Sequence, residues 1–256
     1  MKFTVVTLFP EMVATGTSFG ICGRAVRRGL VDLTTVDPRD SAPDLHRTVD
    51  DRPYGGGPGM VLKVEPFRDA IRRARASLPS GSPVIFLSPQ GRRFDQRLAR
   101  EFAGLPGMAL VAGRYEGFDE RLIESEGDDE VSLGDFVLSG GEIAAVAIID
   151  AVVRLLPEVL GDQASAEADS FTNDLLDFPH YTRPNSVDGM EVPSVLTDGD
   201  HEEIRRWRLK QALGRTYERR PDLLATRELT AEEQRLLQEY LTEQESAAGK
   251  SGPLRH

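Results

Sequence analysis

The sequence predicts an α/β fold followed by a smaller, mostly helical unit. Three observations predict it. Over the first ~160 residues short apolar runs of strand length alternate with helical stretches, the pattern of a sheet covered by helices. Residues 157–200 then carry turn and breaker residues with little periodicity. Helical patterning resumes after Asp200.

The elements follow in order. Phe3–Leu8, Val31–Val36, Pro83–Leu87 and Met108–Val111 read as strands, because each is a short apolar run bounded by polar or turn residues. Val64–Leu78 and Asp95–Phe102 read as helices between them. Ser139-Gly140-Gly141-Glu142 has the S-x-x-E spacing of a capping box, which predicts a helix over Ile143–Leu156. That helix is apolar almost all round, so it needs cover from the sheet or from a second subunit. Pro157, Gly161, Pro179, Pro184, Gly189, Pro193 and Gly199 then break the chain repeatedly. Asp200, with Glu203 three residues on, suits a helix N-cap. A last helix follows Thr230-Ala231-Glu232-Glu233, with Leu236, Leu237, Tyr240 and Leu241 as its apolar face. The expected division is an α/β domain over 1–160, a linker over 161–176, a helical domain over 177–245 and a disordered tail over 246–256.

Composition narrows the class. With 39% hydrophobic and 29% charged residues, the 256-residue chain is too apolar for general disorder. Its longest apolar stretch, Ile143–Leu156, is broken by Asp150 and Arg154 and is too short to span a bilayer. Met1-Lys2-Phe3 leads straight into the first strand without a signal-peptide cleavage pattern, so a cytoplasmic location is expected. Cys22 is the single cysteine, which excludes an internal disulfide framework and a cysteine-rich zinc site. His46, His180, His201 and His256 have no metal-ligand spacing. The net charge of −11 argues against a nucleic-acid partner, but its distribution reverses that reading. Residues 205–220 carry a local net of +6, while 115–135 carry −8.

Three polar, glycine-bearing segments follow strand-like runs: Ser88–Gly91, Gly113–Gly117 and Ser132–Gly141. In open α/β sheets ligands bind beyond the carboxyl ends of strands, where glycine permits close backbone approach. One such loop is a mere strand terminator; three in one domain indicate a ligand pocket. G-x-G-x-x-G after the first strand and G-x-x-x-x-G-K-[ST] are both absent, which disfavours dinucleotide and nucleoside-triphosphate sites. Asp50–Met60 packs four glycines and two prolines into its last eight residues. Such a run cannot form a helix or central strand. Asp50, Asp51, Arg52 and Tyr54 beside it favour a functional loop over a linker. Cys22 and Arg28 match the C-x5-R spacing of cysteine phosphatases, but the intervening residues read as an ordinary helix and the match as coincidence. Asp150 and Arg154, four apart, read by default as a structural pair, and Asp169 as a cap or solvated acid. Spacing alone assigns none of the three to catalysis. The segment 205–220, with Trp207 and Tyr217 among its arginines, suits a surface that meets phosphates and bases better than a merely solvated face.

Long, ordered motifs between Thr7 and about Leu224 resemble one family. They are Leu8–Met12, Asp50–Met60, Leu87–Gly91, Gly113–Gly117, Gly134–Glu142, Asp177–Pro184 and Glu203–Gln211. The family is the bacterial tRNA (guanine-N1)-methyltransferase, or TrmD, family. The resemblance implies a knotted α/β domain of the SPOUT class and a homodimer with no membrane association. It implies methyl transfer from S-adenosylmethionine to N1 of the guanosine immediately 3′ of the anticodon of tRNA, and magnesium dependence. Pro89, Gly113, Glu116 and the run Leu133, Gly134, Asp135, Phe136, Val137 and Leu138 match the family's donor site. Asp169 matches its general base, Arg154 its catalytic partner, and Arg205, Arg208, Lys210 and Arg215 its tRNA surface. The sequence offers no distinct metal site, and it has Asp200 where the family commonly has Asn before the histidine. The chemistry suits these residue types. Guanine N1 carries a proton that a carboxylate must remove, and charge moving to O6 suits a guanidinium. A non-catalytic RNA-binding adaptor and a phosphatase using Cys22 are the competing readings.

Overall fold

The computed structural model describes residues 1–160 and 169–250, with side chains through residue 246. The chain divides into two compact units, Met1–Gln163 and Ala164–His256.

In the first unit the elements run β1 (Lys2–Val6), α1 (Pro10–Thr17), α2 (Gly20–Arg27), β2 (Asp32–Val36), β3 (Asp50–Asp51), β4 (Val61–Leu62) and α3 (Val64–Ser77). They continue with β5 (Val84–Arg93), α4 (Gln96–Ala103), β6 (Gly107–Ala112), α5 (Glu120–Glu126), β7 (Asp129–Ser132) and α6 (Glu142–Val153). Five strands form a parallel sheet in the order β2-β1-β6-β5-β7. Its central strands are buried on both faces, which is why they read as continuous apolar runs rather than as alternations. One face presents Phe3, Val5, Ile85, Leu87, Met108 and Leu110 to helices α1, α2, α4 and α6. The other presents Val6, Val84, Phe86, Ala109 and Val111 to α3 and α5. This is the α/β architecture expected of the SPOUT class.

The helix ends show which local signals operate. Asp95 caps α4, its carboxylate accepting from Leu98 N at 2.8 Å. The expected capping box at Ser139 does not form. Gly141 is the N-cap of α6 without a side-chain cap, and Glu142 turns inward to Thr7 and Arg114. The body of α6 is largely covered within its own chain: Ala144, Ala145, Ile148, Ile149, Val152 and Val153 are all buried. β7, α1 and α5 have no counterpart among the expected elements. β7 and α5 fall in the acidic stretch, where charge masks a short apolar pattern.

The second unit holds a small hairpin of β8 (Ser186–Val187) and β9 (Met190–Glu191), then α7 (His201–Arg219), α8 (Pro221–Ala225) and α9 (Ala231–Lys250). Asp200 caps α7 by accepting from Glu202 N and Glu203 N. At α9 the capping box is reciprocal: Glu233 N donates to Thr230 Oγ1 at 3.2 Å, and Thr230 N donates to Glu233 Oε2 at 2.9 Å. Leu175, Ala212, Leu213 and Leu236 form the core of this unit. α9 continues to Lys250, into the segment expected to be a tail; residues 161–168 of the expected linker and 251–256 of that tail lie outside the described residues.

Candidate active site

β5 runs against β7 with a break in register. Val131 pairs with Leu87 and again with Arg92, so residues 88–91 leave the ladder. The sequence dictates the break, since Pro89 has no N–H to contribute. The ejected loop, Ser88-Pro89-Gln90-Gly91, interrupts β5 just beyond the part of it that pairs with β6. Beside it the chain leaves β6 into Gly113–Phe118, and beyond β7 it winds through Leu133–Gly141. These three loops enclose a cavity of about 350 Å³.

Two of the loops are stitched together at their bases. Gly141 N donates to Gly113 O at 2.8 Å, and Arg114 pairs with Gly140 in an antiparallel bridge. A Cβ on Gly141 would stand 2.8 Å from Ala112 Cα, so only glycine lets these backbones close. A Cβ on Gly113 would stand 2.7 Å from the Phe118 ring, which is packed edge-on against Phe67 and Phe86. The first obstacle at Gly113 is therefore the protein's own core rather than a bound ligand.

The glycine-rich segment expected to be a functional loop is the tip of the β3–β4 hairpin. Gly55, Gly56, Gly57 and Gly59 all have positive φ, between 76° and 114°, which accounts for their number. The hairpin docks on the cavity loop: Glu116 N donates to Met60 O at 3.0 Å, and Leu62 N to Gly117 O at 2.9 Å.

Of the residues expected to hold a methyl donor, Pro89, Gly113, Glu116, Leu133, Gly134, Phe136, Val137 and Leu138 all line the cavity. Asp135 does not; it is exposed between two lining residues. Arg154 is the C-cap residue of α6, half-buried, with its N–H donating to Asp150 O. Asp169 belongs to the second unit, where its carbonyl accepts from Thr172 N at 3.2 Å.

The basic stretch of the second unit is partly neutralised by its neighbour. Arg205 pairs with Glu232 at 2.8 Å, Arg206 with Glu239 at 2.6 Å and Lys210 with Glu243 at 2.7 Å, all across the α7–α9 contact. Arg205 also pairs with Glu202 on its own helix at 2.7 Å, and the bonds to Glu202 and then Glu232 raise its pKa. The Arg206–Glu239 bond raises that of Arg206 and holds Glu239 below the ordinary carboxylate range. Arg208 instead lies over the Phe178 ring at 4.9 Å, with His180 at 4.6 Å on that ring and Tyr181 near Trp207. Arg205 and Lys210 are thus held by carboxylates. Arg208 is exposed and Arg215 half-buried, neither in an ion pair among the described residues.

A family model described as tRNA (Guanine-1)-methyltransferase TrmD matches residues 1–226. Three similar proteins carry the name tRNA (guanine-N(1)-)-methyltransferase. One from Shewanella amazonensis is 59% identical over 246 residues, covering 96% of this chain and 98% of its own. One from Methylococcus capsulatus is 60% identical, with 95% and 97% covered. One from Hahella chejuensis is 60% identical, with 93% and 92% covered. The chain belongs to the TrmD family. Membership makes it a methyltransferase enzyme and implies S-adenosylmethionine as donor and tRNA as acceptor.

Membership leaves no place for the Cys22 phosphatase, and the geometry agrees. Cys22 is buried, its Sγ donates to Asp150 Oδ1 at 3.4 Å, and burial together with that carboxylate pushes its pKa up to about 12. A nucleophilic thiolate needs the opposite shift. Among the described residues, no group of three or more His, Cys, Asp or Glu gathers to hold a metal ion, so the implied magnesium has no ligand set there. No helix among them is long and apolar enough to cross a membrane. The residues that sequence reasoning missed are Arg114 and Glu142. The available signal was an acid at the head of a mostly apolar helix, Glu142 before Ile143–Val153, which has Asp150 as its one other acid.

Proposed function

We propose that this chain transfers a methyl group from S-adenosylmethionine to N1 of the guanosine immediately 3′ of the tRNA anticodon, as a cytoplasmic homodimer. The observation that carries the reading is the cavity at the carboxyl ends of β5, β6 and β7, lined by the residues that match the family's donor site. Its volume lies in the usual range for small-molecule sites, and its lining suits this donor. Pro89, Leu133, Val137 and Leu138 offer an apolar slot for a purine, while Glu116 offers acceptors for ribose hydroxyls. When bound, the donor supplies a methyl made electrophilic by its sulfonium, so the chain need form no covalent intermediate.

The protein's own tasks are then three. Asp169 takes the proton from guanine N1, which is a poor nucleophile while protonated. Arg154 faces the negative charge that moves toward O6. Arg208 and Arg215, in no ion pair among the described residues, meet the tRNA phosphates; Arg205 joins them only by leaving Glu202 and Glu232, and Lys210 only by leaving Glu243.

Support for a homodimer comes from exposed apolar side chains on the α1, α2 and α6 layer: Phe19 is 75% exposed, and Met12, Val26 and Ile143 on these helices are exposed as well. The chain should sediment as a dimer at micromolar concentration, and a fully active monomer would refute that part. The reaction is tested by methyl transfer from labelled donor to tRNA transcripts with and without guanosine at the target position. Transfer only to the guanosine transcript is expected. Binding of tRNA with neither donor binding nor transfer would favour the adaptor reading instead.

A further inference from the structure

Glu142 is wholly buried, and each of its carboxylate oxygens has one partner. Oε1 accepts from Thr7 Oγ1 at 2.9 Å, and Oε2 accepts from Arg114 Nε at 2.9 Å. Thr7 Oγ1 in turn accepts from Phe9 N at 2.9 Å, and the Arg114 guanidinium lies over the Phe9 ring at 4.4 Å. The contacts close a ring: Phe9 backbone, Thr7, Glu142, Arg114, Phe9 side chain. That ring ties the end of β1 and the head of α6 to the loop that leaves β6.

Arg114 is itself a wall of the cavity and pairs with Gly140 on the facing loop. Glu142 and the methyl-donor loops are therefore connected through one side chain. A buried carboxylate is costly to hold unless its partners are fixed, so the arrangement is stiff only while complete.

We infer that Glu142 is a positioning residue for methyl-donor binding, acting through Arg114 to hold the Gly113–Gly117 and Gly140–Gly141 loops at their working separation. The inference rests on the cavity being the donor site. Glu142→Gln keeps shape and removes the charge. Losing the charge-assisted bond to Arg114 should weaken donor binding about tenfold. The donor KM should rise by the same factor, with kcat and tRNA KM close to the parent values. A merely structural Glu142 would lower the melting temperature without moving the donor KM.

The test is isothermal calorimetry of S-adenosylmethionine on the full chain, in four forms: parent, Glu142→Gln, Arg114→Gln and the double variant. Because Glu142 acts through Arg114, the double variant should bind as weakly as Arg114→Gln and no weaker. Donor affinity of Glu142→Gln within twofold of the parent would overturn the inference. So would a double variant in which the two losses multiply. Should Glu142→Gln fail to fold, Thr7→Val takes its place: it removes the hydroxyl's bond to the Glu142 carboxylate and the acceptor of Phe9 N, so a loss of donor affinity of at least about threefold is expected, and an unchanged affinity would overturn the claim. Leu138→Lys, inside the cavity, separates the two readings. Unchanged donor binding there would remove the donor-site assignment itself, whereas loss there with an intact Glu142→Gln would remove only the role of Glu142.

Discussion

Gly59 and the carboxylate of Glu116 occupy adjoining space so closely that a Cβ on Gly59 would overlap Glu116 Oε1. Gly59→Ala should therefore displace the flexible end of Glu116 rather than the backbone. Gly56, also at positive φ but with nothing within 4 Å, supplies the control. Both alanines share about 1–2 kcal/mol of left-handed strain. Only Gly59→Ala should also lose donor affinity, several-fold, in calorimetry; equal affinities would separate Glu116 from the donor.

Gly113→Ala should cost stability as well as binding. The Phe118 ring that a Cβ would meet is fixed between Phe67 and Phe86, so the core cannot yield cheaply. Overpacking of this kind typically costs about 1–3 kcal/mol. Denaturant unfolding of the ligand-free protein checks it, and an unchanged midpoint would show that the ring moves aside.

The pairing between α7 and α9 ranks the basic residues. Removing a cation that neutralises one phosphate should lower the salt slope of tRNA binding by about one unit. Arg208→Ala and Arg215→Ala should each show that drop, while Arg205→Ala and Lys210→Ala, already paired to Glu232 and Glu243, should show less. Glu243→Gln should tighten tRNA binding by releasing Lys210. Equal slopes for all four alanine variants would mean that the carboxylates are displaced freely.

Asp169→Asn keeps shape but cannot take a proton. Single-turnover methylation should slow by about 10²–10⁴-fold with both substrates still bound. Arg154→Lys, which keeps charge but loses the planar fork, should be impaired as well. A normal single-turnover rate for Asp169→Asn would falsify the general-base role.

Cys22 titrates far above its ordinary 9.0, at about 12 in the folded chain. The neutral thiol is favoured by folding, so its contribution is complete below pH 9 and fades as pH rises toward 12. Melting curves across that window should fall less steeply for Cys22→Ala than for the parent. Parallel falls would show that Cys22 exchanges with solvent.

The sheet was legible because its central strands are buried on both faces and therefore almost wholly apolar, as in Met108–Ala112. The cap at Asp200 was legible too, from its spacing to Glu203. Ser139 misled because capping spacing says nothing of competition: Glu142 finds a hydroxyl and a guanidinium from remote strands, both stronger partners than its own N-terminus. The local charge of residues 205–220 overstates the number of free cations for a like reason, since glutamates on α9 neutralise Arg205, Arg206 and Lys210 from outside the segment. The cavity lining was found mostly through loops at strand ends. Pro89 marks a break in the ladder, but where pairing resumes, at Arg92 against Val131, is set by β7 and not by any local pattern.

The three walls of the cavity are neighbours in the sheet but lie far apart along the chain, at 87–90, 113–118 and 130–141. A polypeptide emerging from the ribosome carries two of those walls before the third exists. Its third wall also seats the Gly141–Gly113 stitch, without which the second loop is untied. Such non-local closure comes late in folding. If the cavity holds the donor as proposed, the capacity to retain it should arrive only when α6 is in place, and a nascent or nicked first unit that stops short of it should show no partial affinity. Donor retention on stalled chains of increasing length would act as a clock for completion of this domain, switching on in one step rather than growing with length.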